Sequence, residues 1–224
     1  MTKRTKLINR SLPNYTRGEE LFNMISHIVG GGISIIVSVI CIVYSALFCD
    51  AWAIVSSAVY GASLILLYTM SSIYHGLISI TAKKVFQVLD HCTIYFLIAG
   101  TYTPFTLCAI RRIDPTIGWI IFGVVWSLAA LATTLTAIDL KKYATFSMIC
   151  YIGMGWCIIA AGKITYTALT PAGFFFLLAG GIAYTIGAVL YGLGKKGRYI
   201  HSIFHLFVIL GSVLHSISIL FYAL

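Results

Sequence analysis

The chain has 224 residues, 60 % of them hydrophobic and only 9 % charged, with a formal net charge of +9. Its mean hydropathy is +0.97. A soluble domain carries roughly a quarter of its residues as charge, so a soluble, disordered or fibrous chain is excluded. The composition is that of an all-α polytopic membrane protein.

Residues 1–20 form a basic N-terminal segment holding Lys3, Arg4, Lys6, Arg10 and Arg17. The segment is too long and too polar to head a cleaved signal peptide, and no small-residue cleavage site follows the first apolar run. Most of the remaining basic residues sit in short gaps between apolar runs. That distribution orients a chain in a bilayer and argues against nucleic acid as a partner. The six cysteines (Cys41, Cys49, Cys92, Cys108, Cys150 and Cys157) include no C-x-x-C pair, and they read as small buried hydrophobes.

A hydrocarbon core of about 30 Å takes about twenty apolar residues per helix. Seven runs reach that length, roughly 21–47, 52–77, 89–110, 116–138, 143–163, 171–193 and 200–222. They are continuously apolar, whereas barrel strands would alternate. Residues 21–224 are therefore expected to form one seven-helix transmembrane bundle. Gly162-Lys163 closes the fifth run early, and Tyr166 would extend it. In a seven-span chain, one side collects twelve basic residues: the five above with Lys83, Lys84, Lys141, Lys142, Lys195, Lys196 and Arg198. The other side holds three, Arg111, Arg112 and Lys163. The positive-inside rule then puts the N-terminus in the cytoplasm and the C-terminus outside, the reverse of a rhodopsin-like receptor.

Ionisable groups inside a span are costly and mark function. Five of the six histidines (His27, His75, His91, His201 and His205) fall at helix ends expected on the cytoplasmic side. His201 and His205 form H-x-x-x-H, which puts two imidazoles about 6 Å apart on one helix face. His75 is the expected third ligand of a shared ion. Three histidines with an open fourth position suit catalytic Zn2+. Ser71 lies four residues before His75, and Asp90 opens the third span. A carboxylate there could take a proton from water at the metal. Glu20, Asn23 and His27 share one face of the first span and are expected to line the site. His91 neighbours Asp90 but points about 100° away, which suits a supporting or surface role. His215 lies about 15 Å further along its helix than His205, too far to ligate the same ion, and is expected to be a buried hydrogen-bonding or cavity residue. The bland alternative for all of these is interhelical hydrogen bonding.

These motifs, E-x-x-N-x-x-x-H at Glu20/Asn23/His27, S-x-x-x-H at Ser71/His75, Asp90, and H-x-x-x-H at His201/His205 followed by His215, resemble the hemolysin III family. That family is the bacterial branch of the progestin and adiponectin receptor superfamily. The similarity runs from about residue 15 to 222. It implies a seven-helix protein of the bacterial inner membrane with zinc held by His75, His201 and His205 near the cytoplasmic face. It also implies that Asp90 contacts zinc-bound water with Ser71 beside it. Eukaryotic members and the similar alkaline ceramidases are associated with amide hydrolysis of ceramide-like lipids. The leading functional expectation is thus a zinc-dependent hydrolase acting on membrane lipid amides or esters. Two alternatives stand beside it: a non-enzymatic sensor or receptor with structural zinc, its fourth ligand from His27 or Asp90, and a hemolysin-type pore or transporter. Polar groups clustered at one face disfavour a conduction path, which needs them at several depths.

Overall fold

A computed structural model describes residues 5–193 and 197–224. Lys3, Arg4, Lys195 and Lys196 of the charge count lie outside the described residues. From Arg17 on, the described residues are helical apart from short connections: α1 Arg17–Phe48, α2 Ala51–Gly76, α3 Ile80–Pro104, α4 Pro115–Ile138, α5 Ala144–Trp156, α6 Gly162–Leu193 and α7 Ile200–Ser218. Among them no strand occurs. α3 runs on through a π-turn, Phe105–Ile110, to Ile113, and a 3-10 turn, Cys157–Ala161, joins α5 to α6. Counted as unbroken segments, six helices are long and apolar enough to cross a membrane.

Local chemistry sets the helix ends. Thr16 and Glu19 close a reciprocal capping box on α1, so this helix starts four residues before the hydropathy boundary at 21. Asp50 caps α2 by accepting the Ala53 N–H at 2.9 Å. Asp114 caps α4 through the Ile117 N–H at 3.0 Å, with Pro115 in the first turn, where its missing N–H is harmless. α3 begins at Ile80, nine residues earlier than its apolar run, because Lys83 and Lys84 ride on its first turns instead of interrupting it. At the other end of α3, Pro104 has no N–H to give to the preceding turn, and the backbone continues in π geometry. The segment from Ala144 to Leu193 reads as a single 50-residue stretch. It is interrupted at Thr170, whose φ of 61° and ψ of 166° are not helical; the residue before a proline is steered out of the α region.

The helices are apolar around their circumference, so small and hydroxylated residues select the buried face. On α1 that face carries Gly30, Ser34, Ser38, Cys41 and Ser45. It meets α2 through the Ser45–Ser57 hydroxyl pair at 3.0 Å. Tyrosines then tie α2 to α7: the Tyr60 hydroxyl is 2.7 Å from Ser216 Oγ, and Tyr68 donates to Ser212 Oγ at 2.8 Å. α3 is tied to α4 by Tyr95–Thr136 at 3.0 Å and to α5 by Tyr151, which donates to the His91 carbonyl at 2.9 Å. Ahead of α1, the N-terminal segment lies against α3 and the end of α4. The Thr5 amide donates to Asp139 at 2.7 Å. That bond, with further amide donors from Lys142 and Lys141, holds the Asp139 carboxyl down at about 2.

α6 and α7 pack so tightly at Gly180 that a Cβ there would overlap Cδ2 and Nε2 of the His215 ring. Gly180→Ala should therefore lower the thermal midpoint of the purified protein, by overpacking worth about 1–3 kcal/mol. Adding His215→Ala should return much of that loss, a coupling visible in a double-mutant cycle. Simple additivity of the two changes would show that the close approach carries no energy.

Candidate metal centre

Three helices bring the four histidines together. His75 comes from the last turn of α2, His201 and His205 from the first turns of α7, and His27 from the third turn of α1. All four are buried. Each of His75, His201 and His205 offers a ring nitrogen, and these atoms lie within 4.8 Å of one another. His201 Nε2 and His205 Nε2 are 3.1 Å apart. Two nitrogens bound tetrahedrally at 2.0–2.1 Å to one ion stand about 3.3 Å apart, so this pair already has the spacing of shared ligands.

Second contacts orient these rings. His75 Nδ1 is 2.6 Å from Glu20 Oε2. An ionised carboxylate only accepts, so Nδ1 carries the proton and Nε2 presents its lone pair. That Nε2 is buried without a hydrogen-bond partner. A carboxylate behind a ligating imidazole fixes its tautomer and raises its basicity. Lys83 Nζ holds the other Glu20 oxygen at 2.8 Å. On α7, Glu19 Oε1 accepts the Tyr199 N–H at 2.8 Å while Oε2 stays in the capping box. One side chain thus fixes both the start of α1 and the residue two before His201. Tyr199 itself has φ of 59°, a left-handed entry into α7.

Tyr15 and His27 flank the histidines. Tyr15 stacks on His201 with ring centroids 4.9 Å apart, and burial, then repulsion from Tyr191 and Glu20, pushes its phenol above the ordinary value. His27 stacks on His205 at 3.7 Å. Both ring nitrogens of His27, both amide atoms of Asn23, and His205 Nδ1 are buried without hydrogen-bond partners among the described residues. Native interiors leave few such atoms, and their concentration here fits a site built to take a cation and ordered polar species. Three neutral imidazoles are a suitable donor set for a borderline metal ion.

His27, His201 and His205 open onto a cavity of about 160 Å³. Ser71, Asp90, His91 and His215 line it as well. Ser71 lies close to the Asp90 carboxyl group. His91 stands on the wall, its Nε2 3.5 Å from the Tyr191 hydroxyl and its ring outside the metal-competent trio. His215 sits at the deep end and donates from Nε2 to the Leu177 carbonyl at 3.0 Å, leaving Nδ1 buried and unpaired. Sequence reasoning brought out the trio, Asp90, Ser71 and the Glu20/Asn23/His27 face. It missed Tyr15, Lys83 and Tyr191 as part of the surroundings, and it placed Glu19 within reach of the histidine layer without its capping role. For Glu19 a signal was present, since T-x-x-E ahead of an apolar run is a capping-box pattern.

Comparison with known proteins identifies the family. A family model described as haemolysin-III related matches residues 15–216. The chain is 41 % identical to Hemolysin-3 of Bacillus cereus over 206 residues, 92 % of each chain. It is 38 % identical to a Hemolysin-3 homolog of Bacillus subtilis (strain 168) over 208 residues, 93 % of this chain and 96 % of that one. It is also 26 % identical to the human monocyte to macrophage differentiation factor over 176 residues, 76 % of this chain and 71 % of the relative.

Proposed function

The chain belongs to the haemolysin-III-related family, and from that premise we propose that it is a zinc-dependent hydrolase of membrane lipid amides or esters, working from within one leaflet. One observation carries the reading: three buried imidazoles, one backed by a carboxylate, gather beside a cavity that two of them, His201 and His205, line together with Asp90 and Ser71. Zinc held there would supply Lewis acidity, polarising a carbonyl and bringing the pKa of water to about 7. Asp90 takes a proton from water at its carboxylate oxygen, and Ser71 orients that carboxylate. The unpaired Nδ1 of His215 accepts a hydrogen bond from a polar group deep in the cavity. Tyr15 covers the trio and limits entry of bulk water.

The membrane placement is part of the proposal. Fifty helical residues from Ala144 to Leu193 would span about 75 Å, more than twice a hydrocarbon core. The break at Thr170 lets them cross twice, for seven crossings in all. Twelve basic residues against three favour an N-terminus, and with it the trio, at the cytoplasmic face of a bacterial inner membrane. A purely structural zinc would call for four protein ligands, whereas three histidines meet here.

The test is direct. Zinc-replete protein in nanodiscs should release fatty acid from an N-acyl sphingoid or ester lipid, detected by mass spectrometry. Chelation should stop release, and added zinc should restore it. Stoichiometric zinc without turnover of any amide or ester lipid would replace this reading with the structural one. Lipid-independent ion flux in liposomes would favour the pore.

A further inference from the structure

The N-terminal segment contains a buried cation that the metal centre does not use. Arg10 follows a 3-10 turn, Leu7–Asn9, and is only 9 % exposed. Its Nε is buried with no hydrogen-bond partner, and it forms no ion pair among the described residues. A cationic side chain this far withdrawn from water, with one guanidinium nitrogen left unpaired and no anion beside it, is disfavoured. Asp139, the acid that the N-terminal segment contacts through Thr5, is engaged by the amides of Thr5 and Lys142 at 2.7 and 3.1 Å.

Arg10 opens onto a groove of about 630 Å³. Lys6 and Thr5 share its polar side, and Val85, Val88 and Leu89 of α3 form an apolar wall with Ala137 of α4. Val85 and Leu89 are each 41 % exposed. Two cations beside an apolar wall, at the ends of helices long enough to span a bilayer, match an amphiphile with an anionic head. The planar fork of arginine suits phosphate, and the first turns of such helices lie at headgroup depth.

We propose that this groove binds one anionic phospholipid from the surrounding leaflet, its phosphate on Arg10 and Lys6 and an acyl chain along Val85, Val88 and Leu89. The inference does not depend on the hydrolase reading. It has a consequence for the metal centre all the same, because Tyr15 stands on His201 only five residues beyond Arg10. A lipid held by Arg10 steadies the segment that covers the histidines.

The experiment is native mass spectrometry of the full chain with phosphatidylglycerol or phosphatidylcholine, at matched acyl chains. One tightly held phosphatidylglycerol per chain is expected, preferred over phosphatidylcholine. Arg10→Gln and Lys6→Gln should each weaken that preference about fivefold, as for one basic side chain beside an anionic surface. Leu89→Glu, at an exposed wall position, should repel the lipid while thermal midpoint and metal content hold. It decides the matter if Arg10→Gln fails to fold. Equal binding of the two lipids, or unchanged preference in Lys6→Gln and Leu89→Glu, would overturn the proposal. Displacement of the lipid by millimolar inorganic phosphate would also overturn it, showing a soluble-anion site.

Discussion

Replacing His205 with alanine should strip the protein of its metal. Structural zinc sites hold their ion with about 10–16 kcal/mol, so each of three or four ligands contributes roughly 4 kcal/mol, and losing one should weaken binding about a thousandfold. His205 is the best place to look because its Nε2 faces His201 Nε2 at 3.1 Å and its ring is 1 % exposed; solvent cannot substitute for it from outside. His75→Ala and His201→Ala should behave alike. Glu20→Gln keeps the ligand set but weakens the acceptor behind His75 Nδ1, and should lower affinity about 10- to 100-fold. His27→Ala removes a stacked ring that is not one of the three, so metal content should hold. Elemental analysis after dialysis, with chelators of graded affinity, measures all five. Full occupancy in His205→Ala would mean that the three histidines do not share an ion.

The bundle was legible because the runs are continuously apolar, and the trio because H-x-x-x-H places two rings on one face whatever surrounds the helix. Helix ends were less legible. Hydropathy put Lys83 and Lys84 in a gap, yet a lysine on the first turns of a long helix keeps its charge at the interface without breaking the backbone, and Lys83 turns inward to Glu20. The boundary between the fifth and sixth runs was drawn across residues 164–170, where the chain stays helical until a single residue, Thr170, breaks it. Hydropathy responds to polarity over many residues and misses a break confined to the one residue before a proline. The partners of the site residues were hidden for another reason. Glu20 reaches His75 across 55 residues and Glu19 reaches Tyr199 across 180, and neither pairing has a periodic trace in the chain. Tyr15 was invisible because it lies in a polar segment that reads as a solvated tail.

Asp90→Asn should reduce lipid turnover about 10²- to 10⁴-fold, the usual contribution of a positioned general base, while leaving metal content unchanged. Other carboxylates near the trio are already committed. Glu20 is gripped by His75 Nδ1 at 2.6 Å and Lys83 Nζ at 2.8 Å, and Glu19 by Thr16 and the Tyr199 amide. Asp90 is the carboxylate among the described cavity-lining residues, and its neighbour Ser71 is a neutral hydroxyl that orients without competing for the proton. Asparagine preserves shape and can still pair with Ser71, so a drop in rate would report lost basicity and not a collapsed wall. Ser71→Ala should have a smaller effect, about three- to tenfold, the worth of one neutral hydrogen bond. The two readouts separate the roles available to Asp90. Turnover lost with metal retained assigns it to proton transfer. Turnover and metal lost together would make it a fourth ligand, closing the coordination sphere that the hydrolytic reading needs open.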